Sequence, residues 1–271
     1  METNTEAITK AISKAKAHKP EVVASAPIVR QEAELPAMMQ PNWGIEDIET
    51  TDLLVPKIFH QQAMSKFVAD GVARPGDFCD NLTGEILCKK EDTLEIIVFG
   101  AFKTLITSKW DVIKNRFEYL ETTTVTPENA REIASLPFVD EKTDGTKYKY
   151  SLYYNFYCLI PSKIEQLPFV LSMGITKTQA AKTINNMRYN LVQVLKLPPV
   201  AKVFNLKSVQ VENDQGKWFG VEVKEGRNST QQEMLRAHAW YVKSQSQKFT
   251  VVEEEQQQAN SGSYVENEAG I

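Results

Sequence analysis

Fourteen consecutive residues, KYKYSLYYNFYCLI from Lys147 to Ile160, hold five tyrosines and one phenylalanine, with two lysines near the front. So many rings in one run favour extended chain, because aromatic side chains pack well on a pleated surface. In a strand, alternate residues face opposite sides. Tyr148, Tyr150, Leu152, Tyr154, Phe156, Cys158 and Ile160 then share one face, which is apolar enough to be core from Leu152 onward. Lys147, Lys149, Ser151, Tyr153, Asn155, Tyr157 and Leu159 share the other. That second face has the make-up of a single-strand nucleic-acid groove, with cations for phosphates and rings for bases. Tyrosines packed beneath a neighbouring loop would leave the same pattern.

The rest of the chain is punctuated in the manner of a β-rich protein. Strands are expected over Leu94–Phe102, Leu105–Trp110, Arg116–Thr123 and Pro168–Ile175, each rich in β-branched or aromatic residues. Val203–Glu212 and Lys217–Lys224 flank Asn213-Asp214-Gln215-Gly216 and read as a hairpin. Arg74-Pro75-Gly76-Asp77 places Pro and Gly where a type II turn needs them, and Leu82-Thr83-Gly84-Glu85 suits a tight hairpin. A short helical stretch is expected around Gln61–Val68, and a turn or two of helix within Thr126–Ser135. Two longer helices complete the set. Lys177–Leu195 carries Ala180, Ile184, Met187, Leu191 and Leu195 at helical spacing, with Lys177, Lys182 and Arg188 largely off that stripe. Thr230-Gln231-Gln232-Glu233 is a capping box that opens a helix running to about Ser244.

Both ends differ from the middle. Residues 1–50 contain four prolines between short polar stretches and read as a disordered arm, with a short helix over Thr5–Ala17; 251–271 read as a flexible acidic tail. The core is expected over 51–250. The net charge of −4 hides a partition: residues 145–250 carry 15 Lys and Arg against 6 Asp and Glu, while each of the other segments is net acidic. The basic block is also the aromatic block. That asymmetry points to a polyanionic partner rather than to a fold.

Several function classes are excluded by what the chain lacks. Its longest apolar runs, such as Ile96–Phe99, fall far short of the roughly 20 residues a membrane helix needs, so no membrane partner is expected. The N-terminus has lysines but no apolar signal region, so the protein is expected in the host cell cytoplasm. Cys79, Cys88 and Cys158 are odd in number and have no metal spacing, and the three histidines sit on separate segments; no metal and no cofactor are expected. No phosphate loop, nucleophile elbow or dinucleotide fingerprint is present. Asp214, Glu222 and Lys224 form a D-x7-E-x-K pattern reminiscent of Mg-dependent nucleases, but the turn would put Asp214 at its tip and Glu222 well down the next strand.

Asp52-Leu53-Leu54-Val55-Pro56-Lys57, Gly71-x-x-Arg74-Pro75-Gly76-Asp77-Phe78 and Asn81-x-Thr83-Gly84-Glu85 together resemble a group of proteins from the replication and recombination regions of tailed bacteriophages. The resemblance covers about 35 residues closely. It implies a role in phage DNA metabolism similar to that of phage single-stranded DNA-binding proteins. Such proteins pair an OB core with an acidic tail that recruits replication or recombination partners. Glu253–Ile271 is similar in charge, though diluted by Gln, Asn, Ser and Gly.

The expectation is therefore a β-rich α+β protein with an OB-like barrel core, additional strands and two main helices. It binds single-stranded DNA without strong sequence preference and performs no catalysis; a homo-oligomer is compatible with the sequence. The stacking candidates are Tyr153, Tyr157, Trp218 and Phe219, and the phosphate candidates are Lys147, Lys149, Lys177, Lys182, Arg188 and Lys217. These rings and cations are expected to line one open channel. The rival readings are a phage virion or assembly protein and the Mg-dependent nuclease.

Overall fold

A single 19-residue strand, Thr93–Asp111, organises the molecule. The computed structural model describes residues 54–213, 216–246 and 250–251; the expected arm (1–50), nearly all of the tail and Asp214 lie outside them. In chain order the elements are β1 (Leu54–Val55), β2 (Lys57–His60), α1 (Lys66–Ala69), β3 (Phe78–Asp80), β4 (Ile86–Cys88), β5 (Thr93–Asp111), β6 (Arg116–Thr124) and α2 (Ala130–Ser135). They continue with β7 (Val139–Glu141), β8 (Lys147–Leu159), β9 (Phe169–Met173), α3 (Thr178–Tyr189), β10 (Lys202–Asn213), β11 (Gly216–Asn228), α4 (Gln231–Ser246) and β12 (Thr250–Val251).

Ten strands form one curled sheet in the order β11-β10-β5-β8-β9-β2-β3-β4, with β6 on β5 and β7 on β8; β1 and β12 form a separate parallel pair. The sheet is a half-barrel whose two faces are buried by different helices. Leu94, Ile96, Val98, Phe156 and Leu206 pack with Ala181 and Ile184 of α3. Ile97, Phe99, Leu159, Val170 and Val203 pack with Ala237 and Trp240 of α4. Alternation along each strand thus feeds two apolar layers, each closed by one amphipathic helix.

Strands β2 and β11 are five places apart in the sheet, yet the curl brings the chain just past β2 against β11. The Gln62 carboxamide accepts a hydrogen bond from the Phe219 N–H (3.0 Å) and donates one to the Phe219 carbonyl (2.9 Å), as a neighbouring strand would. His60 Nε2 lies 3.0 Å from Ser208 Oγ on β10. The expected type II turn lies at this seam: Asp77 N–H donates to the Arg74 carbonyl (3.1 Å), and Gly76 has φ +96°. Asp77, 2% exposed, accepts the backbone N–H groups of Arg74 and Lys90 at 2.9 Å each.

The two strands expected at 94–102 and 105–110 are one. No breaker separates them; instead the register against β8 shifts between Val98 and Gly100, so Phe99 is the extra residue of a bulge. Before it, odd positions of β5 face α4; after it, even positions do. The capping box forms in both directions: Glu233 N–H donates to Thr230 Oγ1 (3.3 Å), and Thr230 N–H donates to Glu233 Oε2 (2.7 Å). Arg227 also grips the Glu233 carboxylate at 2.7 and 2.9 Å, which pulls its carboxyl down to about 2. The helix expected through Leu195 turns π-helical over Asn190–Val194. A π turn holds extra chain, which rotates later residues off the stripe, and Leu195 is 56% exposed where the spacing placed it inward.

Candidate nucleic-acid interface

Strand β8 is buried from Asn155 to Leu159, apart from the half-buried Tyr157, but every residue from Lys147 to Tyr154 is half-exposed. There the sheet continues beyond its helices as a ribbon of β6, β5, β8 and β7. On one face, cross-strand pairing aligns Lys149 with Ser108, Ser108 with Tyr119, and Trp110 with Phe117. Ser108 is small, so the Lys149 ammonium reaches across it. It lies 5.8 Å from the Phe117 ring centre and 5.2 Å from that of Phe138. Trp110 meets Phe117 edge-on at 5.0 Å. Tyr119 and Phe138 are 41% and 52% exposed. Cations over ring faces attract electrostatically while leaving ring area for a stacking partner.

Three of the ten sequence candidates lie on this ribbon face: Lys147, Lys149 and Tyr153. Lys147 pairs with Glu141 at 3.4 Å, an exposed bridge of the kind worth at most about 1 kcal/mol and readily exchanged for phosphate. The Tyr153 ring lies against Gly174, where a Cβ would come within 2.8 Å of it. Tyr157 is on the same strand face but sunk deeper. Its ring stacks on Phe99 at 6.0 Å and leans on Phe102 at 5.0 Å, and burial pushes its phenol pKa up.

The other six are elsewhere, so the ten do not share one channel. Lys177, Lys182 and Arg188 belong to α3 and the turn before it, over the opposite sheet face. Lys217, Trp218 and Phe219 stand at the far end of the sheet. Trp218 pairs with Val211, past the point where β10 leaves the start of β5, whereas Lys149 and Tyr153 sit opposite Ser108 and Thr104 towards its end. Trp218 and Phe219 also point to opposite faces, and the Phe219 ring covers Gly76. In their place the ribbon supplies Trp110, Phe117, Tyr119 and Phe138. The alternation of Phe117 and Tyr119 in β6 was visible in sequence; its alignment with Lys149 through β5 was not.

The charge partition along the chain does not carry over into space. Strands β5, β6 and β7 come from the acidic half and interleave with β8. Lys142 pairs with Asp140 (2.6 Å), and Lys114 and Arg116 share Glu118 (2.7 and 3.1 Å). The ribbon mixes cations and acids, and its distinctive surface is aromatic. For the nuclease pattern, Glu222 pairs with Lys224 at 3.0 Å, while Asp214 lies outside the described residues. Among the described residues no cluster of three or more His, Cys, Asp or Glu side chains could hold a metal ion, and no helix is long and apolar enough to cross a membrane.

The family model of the Pam3 phage gp34-like proteins matches residues 29–251. The chain belongs to that family. No curated protein and no solved structure matches it.

In this gp34-like protein the seam between β2 and β10 sets the buried His60 imidazole near the Lys177 ammonium. Burial drives the His60 imidazole well below its ordinary value, the nearby Lys177 ammonium pushes it the same way, and the Gly76 carbonyl offsets this in part. Burial lowers Lys177 to about 8. At His60 the unfolded chain therefore binds a proton that the folded one lacks below about 6.5, the ordinary histidine value. Lys177 acts in the same direction between about 8 and 10.5. Burial, however, pushes the Cys79 and Cys88 thiols up to about 11 and Cys158 higher still, so above about 9 the folded chain holds more protons. Folding stability is expected to fall as the pH drops below 6.5 and, because three thiols outweigh one amine, to fall again as the pH is raised past about 9. Urea midpoints measured from pH 5 to 10.5 test this. Lys177→Met removes the one group that opposes the thiols and should steepen the alkaline fall, and an unchanged slope would assign the effect elsewhere.

Proposed function

We propose that this phage protein binds single-stranded DNA with little sequence preference, in replication or recombination of the phage genome. The observation that carries the reading is the Lys149 ammonium held between the Phe117 and Phe138 rings on a half-exposed strand face. Flat rings accept any base, at roughly 1–3 kcal/mol per stack, and adjacent cations neutralise phosphates. The curled sheet, closed through Gln62 and His60, supports an OB-like description of the core, a fold class used for single strands. The acid-rich segment after Val252 is read as the contact for other phage replication or recombination proteins.

Titration of fluorescent oligo-dT tests the proposal, with single and double strands compared across a salt series, with and without Mg²⁺. Binding should favour the single strand and need no metal. The logarithm of affinity should fall linearly with that of salt, by about 0.7 per phosphate neutralised. Stable multimers that ignore oligo-dT at low salt would favour the virion or assembly reading instead.

A further inference from the structure

The turn joining β5 to β6 presents the two most exposed large apolar side chains among the described residues, Ile113 at 96% and Val112 at 81%. The turn is rigidly built. Asp111 Oδ1 accepts the N–H groups of Ile113 (2.9 Å) and Lys114 (3.0 Å), and Asn115 adopts the left-handed φ of +50°. Below it, Lys114 and Arg116 are tied to Glu118, and the Trp110–Phe117 contact braces the stem. The two backbone bonds to Asp111 fix the turn, so the apolar tip is presented in one conformation.

We infer that this tip is a pin that inserts between base pairs where a single strand joins a duplex. Side chains of this kind wedge between base steps in other DNA-bending proteins. Two features favour DNA over a protein partner. The tip carries Lys109, Lys114 and Arg116 against Asp111 and Glu118, a net charge of +1, and is continuous with the ring-bearing ribbon face. Two side chains also offer far less area than the roughly 1,000 Å² of a stable protein interface, whereas a gap between base steps takes only one or two. This inference rests on the single-strand reading above, since a strand on the ribbon would lead its duplex end towards the tip.

The test uses the full chain and a duplex with an oligo-dT overhang, carrying 2-aminopurine at the junction. The native protein should raise the junction fluorescence as the base unstacks. The double variant Val112→Ser with Ile113→Ser should bind oligo-dT within about twofold of the native protein yet lose at least about four-fifths of that rise. An undiminished rise in the variant overturns the pin and leaves the strand-binding reading intact. So does a change of oligomeric state on size exclusion, which would make the tip a protein contact. If the native protein fails to bind oligo-dT at all, both readings fall together.

Discussion

Gly76→Ala is expected to lower folding stability by about 2–5 kcal/mol, read as a fall in urea midpoint at constant slope. Two effects add. At φ +96° an L side chain is strained by about 1–2 kcal/mol. The new Cβ would also lie 2.9 Å from Lys90 Cβ, Phe219 Cδ1 and Ser208 Oγ, and overpacking of this kind typically costs about 1–3 kcal/mol. None of these neighbours yields cheaply. Phe219 is fixed at both backbone groups by Gln62, Ser208 is bonded to His60, and the Lys90 N–H is held by Asp77. Gly145→Ala is the matched control, because its φ of +80° carries the same strain with nothing within 4 Å. Equal losses for the two variants would show that the seam is not tightly packed.

Replacing Phe117 and Phe138 together by Ala is expected to weaken oligo-dT binding about 100-fold, from two stacks at roughly 1–3 kcal/mol each. The salt slope should stay unchanged, because no phosphate contact is removed. Lys149→Ala should do the reverse, with a smaller loss and a slope reduced by about 0.7. Phe138 is half open to solvent, so its removal alone should leave stability nearly untouched. Native affinity in the double variant would remove the ribbon from the binding surface.

Local chemistry was legible in the sequence, and long-range register was not. The capping box at Thr230–Glu233, the turn at Arg74–Asp77 and the two faces of Lys147–Ile160 depend on neighbours in the chain, and all three are present, although the core face of that strand is buried only from Phe156 and not from Leu152. The ribbon depends on β5 pairing with β6 on one side and β8 on the other, so Phe117, Phe138 and Lys149 meet from three separate segments. The Gln62–Phe219 bond spans 157 residues. Charge summed over segments misled for the same reason, since a sheet shuffles segments before it presents them. The rings on β11 stand out in the sequence through their flanking lysines, which say nothing about which end of the sheet a strand reaches.

The bulge at Phe99 gives the ribbon an arithmetic of its own. Because side chains alternate, the parity of β5 after that point decides which chemistry each surface displays. Removing Phe99 itself would close the bulge, since Gly100 would then follow Val98 in plain alternation, and Trp110, Ser108 and Ile106 would keep the face they hold. Removing one residue beyond the bulge, with the bulge kept, would exchange Trp110, Ser108 and Ile106 for Lys109, Thr107 and Leu105, turning a ring-bearing surface into a cationic and aliphatic one. Among related phage chains, an odd length change in this strand should therefore coincide with the loss of this bulge or the gain of another, whereas even changes leave it in place.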